Sequence, residues 1–161
     1  MRHRTVGFLL VAAVLFSFAA APTAFANGGQ TTVGCSDGTI TYSPTTLWPP
    51  NHKLQPITIS FTQPNDDSSG PVAITVDAIS SNEEPPGNGC GKPNPPQGRD
   101  WTGVGASASA PSEPATVTVT PQVRAERCGT GDGRTYTIQV TCQDDAESQT
   151  VDLLVTVAHN Q

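Results

Sequence analysis

Apolar and polar residues alternate along much of this chain, and a two-residue period is typical of β-strands that bury one face. No segment beyond residue 26 shows the 3.6-residue period of an amphipathic helix. The sequence therefore predicts an all-β protein. The alternation indicates about seven strands, near residues 39–42, 57–61, 72–76, 101–109, 116–120, 136–142 and 151–157, with the weakest pattern at 101–109.

Turn-forming residues separate the predicted strands. Stretches 64–70, 85–98 and 129–133 are rich in Pro, Gly, Asn, Asp and Ser. Strands rich in β-branched residues and joined by such turns indicate an antiparallel β-sandwich. Asp132 precedes Tyr136 by four residues at the start of the penultimate strand, an arrangement that resembles a tyrosine corner. The predicted fold is therefore an immunoglobulin-like antiparallel β-sandwich.

The N-terminus has the features of a secretory signal peptide. Two arginines precede an apolar run at 6–21, and an A-x-A sequence ends at Ala26. The run is too short for a stable membrane span, and no second run of that length follows. We expect residues 1–26 to be removed on export. Residues 27–161 then form a single secreted domain that is released and has no membrane span.

The chain is acidic, with 8 Lys and Arg against 14 Asp and Glu and a formal net charge of −6. Loss of residues 1–26 removes two arginines and no acid, which lowers the charge to about −8. A polyanion such as nucleic acid would be repelled by this charge, whereas metal cations would be attracted. A mature chain of about 135 residues can bury a core of its own. We expect a monomer.

All four cysteines lie in the exported part of the chain, where an oxidising environment favours disulfides. Alternating strand directions place Cys35 and Cys142 at one end of the predicted sandwich, and Cys90 and Cys128 at the other. Cys128 and Cys142 flank a single strand and lie about 26 Å apart, too far to bond. We therefore predict the disulfides Cys35–Cys142 and Cys90–Cys128. A zinc site is the alternative, but the sequence has no C-x-x-C pair.

Acidic residues gather at strand ends that the predicted topology brings together. Carboxylates that converge from separate loops suit the roughly six to eight oxygen ligands of calcium, so a calcium site is one prediction. The alternative is that these acids are solvated or form ion pairs with interleaved basic residues. We expect no cofactor other than calcium. The acids are Glu83, Glu84, Asp100 and Glu126, and the basic residues are Lys53, Arg99, Arg124 and Arg127.

Residues 47–54 read LWPPNHKL and combine an aromatic ring, two prolines and an imidazole. The predicted topology places this stretch between the first two strands, at the same end as the acids. Trp48, Asn51 and His52 are therefore candidate binding residues. The alternative is structural, because the prolines stiffen an extended corner and the tryptophan ring can close the rim of the sandwich.

Enzyme signatures are absent from the sequence. It contains no G-x-S-x-G elbow, no H-E-x-x-H motif and no phosphate-binding glycine loop before a helix. We expect no catalytic activity and assign no catalytic residue.

Several motifs together resemble a module of secreted bacterial proteins. The motifs are LWPPNHKL, ITVDAISSNEEP, GRDW, VRAERCGTGDGRTYTIQVTCQDDAES and VDLLVTVAHNQ, and they cover nearly all of the mature chain. That module often occurs beside hyalin-repeat and other immunoglobulin-like domains. The resemblance implies an extracellular β-sandwich and carries no defined activity. A looser similarity to cadherin repeats rests on Glu126 and YTIQVTCQD, but the acidic linker that follows the last strand in cadherins is missing here.

These observations lead to one preferred function and one alternative. We expect a secreted immunoglobulin-like module with a binding or structural role of the adhesion type, with calcium as its one candidate cofactor. Its partner would be an extracellular protein or glycan. The alternative, from another class, is a small secreted hydrolase or an enzyme inhibitor.

Overall fold

The computed structural model describes residues 28–64, 70–83, 100–129, 133–144 and 147–158. These ranges contain strands and no helix, which confirms the all-β prediction, and no membrane-spanning helix is found among them. The predicted signal peptide lies outside the described residues. The strands are β1 (Thr31–Cys35), β2 (Gly38–Ser43), β3 (Thr46–Leu47), β4 (Leu54–Pro56), β5 (Thr58–Gln63), β6 (Val72–Ser81), β7 (Trp101–Thr102), β8 (Ser107–Ala110), β9 (Ala115–Val119), β10 (Gln122–Arg124), β11 (Arg134–Gln143) and β12 (Ser148–Val157).

Two larger sheets form a sandwich around one core. One has four strands in the order β1-β2-β5-β9, and the other has five in the order β3-β12-β11-β6-β8. A third sheet is smaller, with the order β4-β10-β7. The strands pair antiparallel except for β3, which runs parallel to the end of β12. An immunoglobulin-like assignment of this strand order stays a prediction.

Alternate residues of each long strand supply the core, as the two-residue period predicts. Strand β11 shows this most clearly, because every second side chain from Arg134 to Cys142 is buried. Apolar residues of both sheets meet in a single buried cluster within the described part of the chain. The fully buried members include Ile40, Ile59, Phe61, Ile74, Val76, Ile138, Val140, Leu153 and Val155.

The predicted strand at 101–109 is two separate short strands in the structure. Strand β7 belongs to the small sheet with β10, and β8 pairs with β6 in the five-stranded sheet. Gly103 and Gly105 lie between these two strands and have φ angles of 95° and 83°, respectively. This left-handed backbone is easily adopted by glycine and ends the extended conformation, so the chain turns from one sheet to the other.

The sequence pattern does not predict β1, β3, β4 or β10, and β3 and β4 contain the first and last residues of the LWPPNHKL stretch. Strand β3 ends at Leu47 and pairs with β12, whereas β4 begins at Leu54 and pairs with β10. The stretch therefore passes from the five-stranded sheet to the small sheet. Runs of two or three residues are too short to show alternation, which is why β3, β4 and β10 were not predicted.

The predicted Cys35–Cys142 disulfide is present in the structure. Cys35 is the last residue of β1 and Cys142 lies near the end of β11, with their Cα atoms 6.3 Å apart. Both residues are fully buried. Cys128 is also disulfide-bonded, while its predicted partner Cys90 lies outside the described residues.

Candidate functional site

Six ionisable side chains meet at the end of the sandwich opposite the Cys35–Cys142 disulfide. We call this group the charged end. Its members come from five separate segments: the β3–β4 loop, the residues after β6, the residue before β7, the end of β10 with its extension, and the start of β11. They are His52, Glu83, Asp100, Arg124, Glu126 and Arg134.

Arg124 connects three of these segments. Its main-chain N–H donates to the Asp100 carbonyl at 2.7 Å, and its Nε lies 3.3 Å from the Asp100 carboxylate. Its Nη1 donates to the His52 carbonyl at 2.7 Å. Because Arg124 is 9% exposed, these bonds form away from bulk water, where charge-assisted hydrogen bonds are strong. The guanidinium thus ties the LWPPNHKL loop to the segment before β7.

Arg134 is the most deeply buried cation of the charged end, with 2% exposure. Its Nη1 lies 3.0 Å from one oxygen of Asp100, and its Nε lies 3.3 Å from Glu83. The guanidinium also stands 5.4 Å from the centre of the Tyr136 ring. Burial opposes the charged form, but contacts with Tyr136 and Asp100 outweigh it and raise the pKa of Arg134 above its ordinary value.

Tyr136 joins this network to the core. It is fully buried, its hydroxyl donates to the Arg124 carbonyl at 2.9 Å, and it accepts a bond from Arg134 at 2.9 Å. Burial raises the pKa of Tyr136 to about 12, against the opposite effect of Arg134. A tyrosine that bonds main chain upstream of its strand is the arrangement expected of a tyrosine corner. Asp132, the acid of that predicted motif, lies outside the described residues.

Glu83 holds the segment that follows β6. One of its carboxylate oxygens accepts the main-chain N–H of Cys128 at 2.8 Å and lies 3.3 Å from Arg134. Its own N–H donates to the Ser81 hydroxyl, which in turn donates to the Glu83 carbonyl. Both the side chain and the main chain of Glu83 are therefore engaged within the protein.

His52 and Glu126 form the exposed border of the charged end. The His52 Nδ1 lies 3.3 Å from a Glu126 oxygen, with side-chain exposures of 69% and 26%. His52 has a φ of 61°, a left-handed conformation that is uncommon for a residue other than glycine. Its N–H donates to the Ala125 carbonyl, and the Ala125 N–H donates to the Lys53 carbonyl. These two bonds fix the loop against the extension of β10.

The other two candidate binding residues have different surroundings. The Asn51 carboxamide oxygen accepts the N–H of Lys53 at 3.0 Å, so this side chain stabilises the turn of its own loop. Trp48 directly follows β3 and is half-buried. The structure therefore places His52 in the charged end and Asn51 beside it, as the topology predicts, and gives Asn51 a local structural role.

The predicted calcium ligands are brought together with arginines and not with one another. The two carboxylate oxygens of Asp100 accept hydrogen bonds from the guanidinium groups of Arg124 and Arg134. The Glu83 carboxylate contacts Arg134 and accepts a main-chain N–H. Glu126 faces His52, with Arg124 at 4.0 Å. No group of three or more His, Cys, Asp or Glu side chains that could hold a metal ion occurs within the described ranges. Glu84 lies outside them. The contacts of the described acids are those of the ion-pair alternative, and a calcium site stays a prediction.

The sequence interpretation missed Arg134 and the neighbourhood of Trp101. Arg134 precedes Tyr136 by two residues, and this spacing on a strand puts both side chains on the same inward face. Trp101 packs edge-to-face on Tyr136, with ring centres 6.3 Å apart. Beside it lies a cavity of about 330 Å³, with a lining that includes residues 101–104. Val104 is 49% exposed there, which is unusual for a large apolar residue in this protein.

Comparisons with protein-family models, with curated proteins and with solved structures found no match to this chain.

Proposed function

We propose that this protein is an exported, non-catalytic module with a binding or structural role outside the cell, of the immunoglobulin-like class that its sequence motifs resemble. The observation that carries the proposal is the way the charged residues are used. Arg124 and Arg134 neutralise buried carboxylates and bond main-chain carbonyls from separate loops. Such a network gives the loops one fixed arrangement, which a rigid recognition surface needs.

Exported localisation is supported by two features. The sequence begins with a basic and apolar leader of the signal-peptide kind. The buried Cys35–Cys142 disulfide belongs to a class of bond that persists in oxidising compartments. Export and release of residues 27–161 are therefore part of the proposal.

The proposed binding surface is the exposed rim of the charged end. We define this rim as His52, Lys53, Trp101 and Val104. The first two are exposed residues of the LWPPNHKL loop, and the last two line the cavity. Asp100, which adjoins Trp101, is bonded to Arg124, and Arg124 is bonded to His52, so the two halves of the rim share one rigid base. A cavity of this volume with an aromatic wall suits a sugar ring or an apolar side chain.

A binding screen tests this proposal. The mature protein is applied to a glycan array, to insoluble peptidoglycan and to immobilised extracellular proteins, and bound protein is measured. We expect V104D to reduce binding at least tenfold, because it places a charge in the cavity mouth. The matched control T39D puts the same charge on an exposed position of β2 at the disulfide end, next to the Gly38–Cys35 pair, and should leave binding unchanged. Equal binding by both variants would reject the rim as the surface.

One observation favours the hydrolase alternative. A carboxylate beside an exposed imidazole, as in the His52–Glu126 pair, is a way to orient a general base. Within the described ranges, however, His52 makes no hydrogen bond to a Ser, Thr or Cys side chain that could act as a nucleophile. Incubation with chromogenic ester, peptide and glycoside substrates separates the two classes. Turnover that is lost in H52A would favour the hydrolase.

A further inference from the structure

Strand β1 leaves one side of the four-stranded sheet open. It pairs with β2 through five residue pairs from Thr31–Tyr42 to Cys35–Gly38. No described strand pairs with its other side, where it is the first strand in the order β1-β2-β5-β9. Thr31, Thr32 and Gly34 are exposed. An open strand edge of this kind presents unpaired N–H and C=O groups to any second strand.

The turn that follows β1 determines which main-chain groups point outward. Residues 36–37 form a two-residue hairpin turn, so the flanking pair Cys35–Gly38 exchanges hydrogen bonds within the hairpin. Because bonded pairs alternate along an antiparallel ladder, Thr31 and Val33 also bond to β2. The N–H and C=O groups of Thr32 and Gly34 consequently face the open edge.

The other outer strands of the two larger sheets carry features that hinder pairing with a second chain. Prolines stand beside three of the outer strands: Pro114 directly precedes β9, Pro111 directly follows β8, and Pro49 lies two residues after β3. A proline removes a donor and is a common protection for an edge. On β12, beyond its short pairing with β3, Asp152 adds a charge, and the Leu154 main chain bonds the Tyr42 hydroxyl.

Strand β1 has none of these protections. From Gly28 to Ser36 the sequence contains neither a proline nor a charged residue. Gly34 has open space around the position of a side chain, so another backbone can approach it closely. Thr32 directs its hydroxyl along the sheet face towards Thr41, at 3.4 Å, and leaves the edge clear.

We propose that two copies of this protein pair antiparallel through their β1 strands, around a twofold axis at Val33. In this register Thr32 of one copy lies opposite the partner's Gly34, and the two residues exchange both main-chain hydrogen bonds. The twofold axis repeats the pair on the other side of Val33. The two four-stranded sheets become one continuous sheet of eight strands. Such an interface is self-complementary and closes at the dimer. It would replace the monomer that we expect from the sequence alone.

The contact area of this interface is small, and we therefore expect a weak dimer whose population rises with protein concentration. Pairing through β1 leaves the rim of the charged end uncovered, since that rim is built from the β3–β4 loop and the residues around β7. A dimer would present two rims, which raises avidity for a repetitive partner such as a polysaccharide. The dimer does not depend on the proposed function, and either can fail without the other.

Sedimentation equilibrium of the mature protein over a range of concentrations tests the proposal. T32P removes the outward N–H of Thr32, which the monomer does not use, and a proline is tolerated there because the N–H faces solvent. Since the twofold axis duplicates the loss, we expect the dimer dissociation constant to rise by roughly tenfold or more. The control T32S keeps every main-chain group and should dimerise like the wild type.

A second variant, G34K, tests the same strand edge in case T32P does not fold. G34K keeps the main chain, fits the open space at Gly34 and adds a charge to the edge, so it should also weaken the dimer. Circular dichroism melts show whether each variant is folded. A wild-type protein that stays monomeric at all concentrations would overturn the proposal. A dimer that is equally tight in T32P and G34K would overturn it as well, because it would use a different surface.

Discussion

At the charged end, ionisable side chains from five segments hold the loops together, whereas at the opposite end one covalent bond joins β1 to β11. Polar contacts around the disulfide join the same two regions of the chain. The Ser36 hydroxyl donates to Asp144 at 2.7 Å, and Asp144 accepts the N–H of Glu147 at 2.7 Å. Asp144 is 4% exposed, so this end also contains a buried carboxylate, which bonds both the turn after β1 and its own turn.

The two ends of the sandwich fix their loops in different ways. Each end must fix loops that contribute little apolar surface to the core. The disulfide acts largely by restricting the unfolded chain, so its contribution does not depend on the exact surroundings. The charged end acts only in the folded state, and each of its buried charges becomes a cost as soon as its partner is lost. The two ends should therefore respond differently to substitution.

The largest expected effect is loss of the Cys35–Cys142 disulfide. The bond closes a loop with a sequence separation of 107, and a loop of that size corresponds to a stabilisation of about 5 kcal/mol. The double variant C35A/C142A should lose about that much free energy of unfolding, measured by urea titration. Because the effect lies in the unfolded chain, the rim should still bind its partner at temperatures where the variant is folded. Loss of binding in the folded variant would contradict this separation of the two ends.

Removal of Arg134 should have the next largest effect. R134M keeps the volume of the side chain but leaves Glu83 without its buried cation and Asp100 with Arg124 alone, and a broken buried pair costs about 3 kcal/mol. Urea titration measures the change. K53M is the matched control, because it removes an exposed cation from the same end and should change stability by no more than about 0.5 kcal/mol. Similar losses in both variants would mean that burial does not set the strength of this network.

Much of the fold was predictable because its long strands show a clear alternation of apolar and polar residues. Strands β5, β6, β9, β11 and β12 each contain a run that alternates over five or more residues, and the same alternation defines the buried face. Short strands have no such signal. Strands β3 and β4 exist because they pair with β12 and β10, which are far away in the sequence, and no local pattern reports a distant partner.

The sequence predicted which residues meet at this end of the sandwich but not which arginine contacts each carboxylate. Strand order was enough to bring His52, Glu83, Asp100 and Glu126 to one end, because that follows from chain direction alone. The partner of each carboxylate depends on which arginine turns inward. Arg134 lies next to a glycine-rich turn in the sequence and looks exposed, yet it occupies an inward position of β11 two residues before Tyr136.

Alkaline pH should weaken the charged end more than the disulfide end. Tyr136 has a pKa of about 12 in the folded protein, above the ordinary value near 10 that applies to the unfolded chain. The folded state therefore holds this proton more tightly, and its contribution is complete below pH 10 and is lost as the pH rises towards 12. By pH 11 the loss should reach about 1.4 kcal/mol relative to pH 9.

The variant Y136F isolates this contribution. It lacks the ionisable hydroxyl, so its free energy of unfolding should fall by about 1.4 kcal/mol less than that of the wild type between pH 9 and pH 11. At neutral pH the variant should be less stable, because the Arg124 carbonyl and Arg134 lose a buried partner. Identical pH dependence in the two proteins would show that Tyr136 does not titrate differently in the folded state.

The smallest expected effect is that of calcium on the wild-type protein. If arginines already neutralise the carboxylates of the charged end, calcium must displace a guanidinium from Asp100 or Glu83 before it can bind, and that exchange gains little. Melting curves in calcium and in a chelator should therefore coincide within about a degree. R134M releases Glu83 and one oxygen of Asp100, and a calcium-dependent rise in the melting temperature should appear in this variant. A rise of several degrees in the wild type would mean that the acids serve a metal ion and that the arginines are secondary.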